Sequence, residues 1–182
     1  MSHIVIEESP VSRFLFSNTK IAWFWLVVRV YVGWAWLDAG WAKITSEAWV
    51  GSESGKALTG FIKGALAKTS GAHPDVQGWY ASFLENVVLP NASGWAHMVA
   101  WGEVVVGVVL ILGALTGIAA FFGLFMNLNF LLAGTVSTNP VLFVLSIGLI
   151  LGWKISGFIG LDRYLLPLLG TPWKSGKLFK SS

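Results

Sequence analysis

The chain has no cysteine and only three histidines, and 12% of its residues are charged. Each shortage removes a class of function. Without sulfur ligands or nucleophiles it can build no disulfide relay, iron–sulfur cluster or thiolate metal site. His3 falls in the N-terminal tail and His73 in a Gly/Pro-rich stretch, so His97 is the one histidine beside a hydrophobic run. A single histidine cannot ligate a b-type haem on both faces, and neither haem nor metal is expected within the chain. The net charge of +3 is spread over the termini and one loop, with no basic cluster interleaved with aromatics. Nucleic acid is therefore not an expected partner.

The shortage of charge also identifies the solvent. A soluble domain carries about a quarter of its residues charged, whereas this chain is 55% hydrophobic with a mean hydropathy of +0.69. Such a surface requires a bilayer. What is abundant agrees: eleven Trp, twelve Phe and 21 Gly suit interfacial anchoring and close helix packing in lipid. A spanning helix needs about 20 mostly apolar residues, and the stretches 20–44, 94–114, 116–135 and 140–160 qualify. The first carries Arg29, Asp38 and Lys43 and follows a mixed segment, so it reads as a retained span rather than a cleaved signal. The sequence predicts an all-α integral membrane four-helix bundle over 20–170, after an N-terminal segment at 1–19 and before a basic tail at 171–182.

Arg13 and Lys20 precede the first span, and Arg163, Lys174, Lys177 and Lys180 follow the last, which places both termini in the cytoplasm. Lys43, Lys56, Lys63 and Lys68 pull the other way. Lys43 ends the first span, and the other three belong to the outer insertion at 45–93, between the first and second spans. Leu58, Phe61, Ile62, Ala65 and Leu66 recur at helical spacing, as do Tyr80, Phe83, Leu84, Val87 and Val88. Two short amphipathic helices are expected there, joined by a turn at 69–75. They either cover a site or lie along the outer membrane surface.

Ionisable groups within a span need a partner or a wet cavity. At about 1.5 Å per residue, Arg29 lies roughly 14 Å from the inner end of its span and Glu103 roughly 13 Å from the outer end of the second, which makes them level in mid-bilayer. Asn127 and Asn129 on the third span reach a similar depth, but at two-residue spacing they point to different faces. These groups are either structural glue or a site in which Arg29 binds an anionic or carbonyl oxygen and Glu103 handles protons. Arg29, Gly33, Trp36, Gly40 and Lys43 share one helix face, and Asp38 lies on the opposite one. Asp38 is level with His97, so the two either meet as an outer ligand or proton-exit site, or His97 is simply wetted at the interface. Lys154 is placed to snorkel to the headgroups.

The stretch from Arg29 to Lys43 with its glycines at 33 and 40, the Gly102-Glu103 pair, Met126-Asn127-Leu128-Asn129 and the run from Gly160 to Pro167 resemble the DoxX/DoxD family of four-helix membrane proteins. The resemblance runs from about residue 20 to 169. Some members are the membrane subunit of a thiosulfate:quinone oxidoreductase, which joins thiosulfate into tetrathionate outside the cytoplasmic membrane and reduces a quinone. Others have no settled activity. By position the resemblance carries over Arg29, Lys43, Glu103, Asn127 and Asn129. It implies quinone as electron acceptor, membrane lipids and a separate small subunit as partners, and the cytoplasmic membrane of a prokaryote as location. The residues suit that chemistry: Lys43 and Arg29 offer positive charge to a dianion, Trp36 and Trp101 ring-sized walls, and Glu103 a proton carrier. The expected site is therefore Arg29 and Glu103 as catalytic residues, with Lys43, Asp38, Trp36, His97, Trp101, Asn127 and Asn129 around substrate or quinone. The rival reading is a non-catalytic subunit of a larger respiratory or photosynthetic complex. A permease is disfavoured because the four spans show no internal repeat.

Overall fold

A computed structural model describes residues 8–170, and every regular element among them is a helix. The expected basic tail at 171–182 and His3 lie outside the described residues. Before the first span there is a helix that the hydropathy pattern does not announce, α1 (Pro10–Ser17). Ser9 caps it by accepting from Ser12 N at 3.2 Å, and Pro10 opens the first turn, where its missing N–H costs nothing. A 3-10 turn leads into α2 (Ala22–Ile44), and Trp25 Nε1 donates to Leu15 O at 2.7 Å, tying α1 against it.

Among the described residues, two helical stretches are long and apolar enough to cross a membrane, one containing α2 and the other, Gly78–Leu112, ending in α5 (Ala92–Leu112). With 23 and 21 residues α2 and α5 run about 34 and 31 Å, against a hydrocarbon core of about 30 Å. α6 (Thr116–Leu132) and α7 (Asn139–Leu151) are shorter, at 17 and 13 residues. The fourth apolar stretch is not the continuous helix expected over 140–160. It stops at Gly152, resumes for one turn as α8 (Trp153–Ser156), turns through Gly157 and Gly160, and ends in α9 (Asp162–Leu168). Hydropathy does not register such breaks, because glycine, isoleucine and phenylalanine are apolar whether or not the backbone is helical.

α2 and α5 pack backbone against backbone. A Cβ on Gly107 would lie 2.5 Å from Leu37 N, and one on Gly40 would lie 2.6 Å from Val104 N. Gly107→Ala should therefore force the two long helices apart and destabilise the chain by about 1–3 kcal/mol, read as a lower thermal midpoint in detergent; an unchanged midpoint would disprove the close approach. The main core joins Trp25, Val32 and Trp36 of α2 to Val106 and Leu110 of α5, Ala120 of α6 and Leu149 of α7. Trp23, Trp34, Trp41 and Phe121 instead face outward, a distribution suited to lipid.

The insertion contains α3 (Lys56–Leu66) and α4 (Gly78–Phe83), the latter continuing through a π turn at Leu84–Val88 and a 3-10 turn at Leu89–Asn91 into α5. Leu58, Ile62, Tyr80, Leu84 and Val88 form a second core with Ala96 of α5 and Ala133 of α6. Of the two placements left open by the sequence, the structure takes the cap: the helices sit over the end of the bundle where α5 begins and α6 ends.

Candidate functional site

The buried carboxylate of Glu103, in the middle of α5, meets Lys43 in the last turn of α2. Lys43 Nζ lies 2.6 Å from Glu103 Oε2, with Glu103 1% and Lys43 18% exposed. The ammonium also stands 5.2 Å from the Trp49 ring and 6.0 Å from that of Phe130, distances at which an aromatic face attracts a cation. This overturns the expected pairing of Glu103 with Arg29.

Arg29 lies about two helical turns, or 10 Å, farther along α5. Its Nη1 donates to Leu110 O at 2.5 Å and Ile111 O at 3.0 Å, and its Nη2 to Ile159 O at 2.8 Å. The depth count assumed that α2 and α5 end flush. The glycine contacts instead place Gly33 against Gly107, so the first turns of α2 project past the end of α5 and carry Arg29 with them. There its guanidinium serves carbonyls that a helix C-terminus leaves unpaired. A Cβ on Gly113, whose φ is 67°, would come within 2.3 Å of Nη1. Glycine is thus required twice over at that position.

Asp162 completes this end of the molecule. Its Oδ1 accepts from Leu115 N at 2.5 Å and its Oδ2 from Thr116 N at 2.9 Å, capping α6, while its own N–H donates to Gly113 O at 2.7 Å. It is 1% exposed and acts electrostatically on Arg29. A side chain on Gly157 would collide with it, the Cβ falling 2.0 Å from Oδ2. Asp162, inside the run from Gly160 to Pro167, is not among the site residues expected from the sequence. The available signal was an acidic residue following Gly160 in an apolar run, where a buried carboxylate must have donors.

The other expected residues separate. His97 Nδ1 lies 3.2 Å from Ser54 Oγ and 2.9 Å from Ser93 O, while Asp38 is exposed; among the described residues no hydrogen bond or ion pair joins them. The Asp38–His97 site does not form. Trp101 is 52% exposed and turned outward, so it walls no core site. Asn129 receives the Tyr80 hydroxyl on its backbone and side-chain oxygens at 3.0 and 3.1 Å and donates to Phe125 O. Asn127 is fully buried with neither amide atom partnered by protein, and Trp36 Nε1 and Glu103 Oε1 share that condition. Left dry, each such group costs about 1–3 kcal/mol. In place of the expected layer of Arg29, Glu103, Asn127 and Asn129, the buried polar layer consists of Glu103, Asn127, Trp36 and Lys43, with Arg29, Asn129, Asp38, His97 and Trp101 elsewhere.

Beside this layer lies a groove that the sequence did not reveal. It encloses about 660 Å³ between α5 and α6 under the roof of α3 and α4, with Phe61, Phe83, Trp95, Phe122, Met126 and Phe130 among its walls. Tyr80 and Asn129 supply the polar groups at its roof. Periodicity identifies Phe61, Tyr80 and Phe83 as parts of helix faces but cannot show that faces of four helices leave a space. Phe130 is a shared wall, lining the groove while stacking on Trp36 at 6.4 Å and standing beside the Lys43 ammonium. No cluster of His, Asp and Glu that could hold a metal ion occurs among the described residues.

No curated protein and no solved structure matches the chain significantly. The DoxX family model matches residues 24–136, from the first turn of α2 through α6, the segment that holds Lys43, Glu103, Asn127 and the groove. That is more than half of the 182 residues, and the chain is a membrane protein belonging to the DoxX family.

Proposed function

We propose that this chain is the membrane subunit of a thiosulfate:quinone oxidoreductase-type system. In this reading it is a four-helix, multi-pass protein of a prokaryotic cytoplasmic membrane with both termini in the cytoplasm, working with a separate small subunit. The observation that carries the proposal is the ring-walled apolar groove separated by one side chain, Phe130, from a buried Lys43–Glu103 pair.

The groove suits a flat apolar ring with a hydrocarbon tail, because its walls are aromatic and aliphatic and its polar groups few. A quinone bound there accepts the two electrons released when two thiosulfates join into tetrathionate, together with two protons, to become the quinol. A carbonyl oxygen there can accept from the second N–H of the Asn129 amide, or from the Tyr80 hydroxyl once it turns away from Asn129. Lys43 offers a fixed positive charge that is partly open to solvent, as a dianion requires, and Glu103, paired with Lys43 on the far side of Phe130, is the buried carboxyl available to carry protons. Arg29 has no part in this site.

Membranes containing the chain and its partner should reduce a short-tailed quinone with thiosulfate. Met126→Trp, which fills the groove, should raise the KM for quinone at least about ten-fold, equivalent to 1.4 kcal/mol, while leaving the KM for thiosulfate unchanged. No thiosulfate-dependent reduction above membranes lacking the chain, with co-purification of larger subunits, would instead establish the accessory role.

A further inference from the structure

Trp36 on α2, Glu103 on α5 and Asn127 on α6 are each at most 2% exposed, and Trp36 Nε1, Glu103 Oε1 and both polar atoms of the Asn127 amide lack a protein partner. Contacts between their helices place them in adjoining positions. The Trp36 indole nitrogen lies 2.9 Å from where a Cβ on Gly123 would stand, and the Trp36 ring stacks on Phe130. Asn127 falls between these two contact points on the same face of α6, one turn from each. The Cβ position of Gly123 is also 3.4 Å from Val106 Cγ1, and Glu103 lies one turn from Val106 on the buried face of α5. A Cβ on Gly40, one turn beyond Trp36, would lie 3.0 Å from the Glu103 carbonyl carbon.

The unpartnered groups are complementary. The indole N–H and the Asn127 NH₂ donate; Glu103 Oε1 and Asn127 Oδ1 accept. Lys43 already balances the charge of Glu103 at its other oxygen, so whatever satisfies these groups is neutral, and it must be small to fit among four packed helices. A water molecule donates twice and accepts twice, and buried polar groups left over by the protein are characteristically held by ordered water. We propose that Trp36, Glu103 and Asn127 form an internal water site in the bundle core, which hydrates the second oxygen of Glu103 and makes that carboxyl the core's proton-exchanging group. The site does not depend on the identity of any substrate.

X-ray radiolytic hydroxyl footprinting of the full chain in nanodiscs tests this, because radicals generated from a bound water label the side chains around it even when bulk solvent cannot reach them. Trp25 is the internal control: it is 6% exposed, and its indole N–H is satisfied by Leu15 O. Trp36 should be labelled at least ten-fold faster than Trp25, and Asn127→Leu should bring its rate down to that of Trp25. If Asn127→Leu does not fold, Gly123→Ala serves, since its methyl is directed at the indole nitrogen. Equal rates for the two tryptophans in the wild-type chain overturn the site, as does fast Trp36 labelling that persists in a folded variant.

Discussion

Asp162→Ala is expected to lower stability by about 3–5 kcal/mol, a large part of the roughly 5–15 kcal/mol that holds a typical domain together. The loss has two sources. Both carboxylate oxygens accept backbone N–H groups at the start of α6, from Leu115 and Thr116, and removing them orphans two buried donors at the positive end of a helix. The same substitution deprives the buried Arg29 guanidinium of the negative charge that acts on it. Asp162→Asn should fall between, because an amide oxygen can still take one of the two donors but carries no charge. Arg29→Met should cost less than Asp162→Ala: it leaves carbonyls at the end of α5 unserved, but the Asp162 carboxylate keeps both of its amides. Thermal unfolding in detergent, followed by tryptophan fluorescence, measures the order. An Asp162→Ala midpoint close to wild type would show that the carboxylate does not hold the α5–α6 hairpin.

The positions of the long helices were readable because burial in lipid imposes a composition that a sliding window detects, and the amphipathic helices of the insertion because their apolar residues recur at i, i+3, i+4 and i+7. What composition cannot convey is offset along the helix axis. Arg29 and Glu103 were brought level by counting from assumed helix ends, whereas the register is set where Gly33 and Gly40 of α2 meet Gly107 and Val104 of α5. Lys43, on the same face as Arg29 but about four turns nearer the insertion, reaches back to Glu103. The glycines were noted as sites of close approach; read as paired contacts, they held the register. Broken helices are equally hard to see, since Gly152, Gly157 and Gly160 interrupt an apolar run without making it polar. Of the site, the mid-span depth of Glu103 and the shared face of Trp36 and Lys43 were legible, but not which of Asn127 and Asn129 turns inward, and the groove required the relative placement of α3, α4, α5 and α6.

The Lys43–Glu103 pair should show pronounced asymmetry between its single variants. Lys43→Met strands a carboxylate that is 1% exposed, a change expected to cost about 3–5 kcal/mol. Glu103→Met strands an ammonium that is 18% exposed and lies beside the Trp49 and Phe130 rings. That side chain can turn to solvent and keep its cation–π contacts, so the cost should be nearer 1 kcal/mol. In the double variant neither charge remains to be compensated, and two apolar side chains fill the space. Its stability should lie close to that of Glu103→Met and well above the sum of the single effects, a favourable coupling of about 3–5 kcal/mol from the double-mutant cycle. Lowering the pH should narrow the deficit of Lys43→Met, because a protonated carboxyl needs no countercharge, and should leave the double variant unmoved. Additive single effects, or a Lys43→Met deficit independent of pH, would mean that Glu103 is held by something other than Lys43.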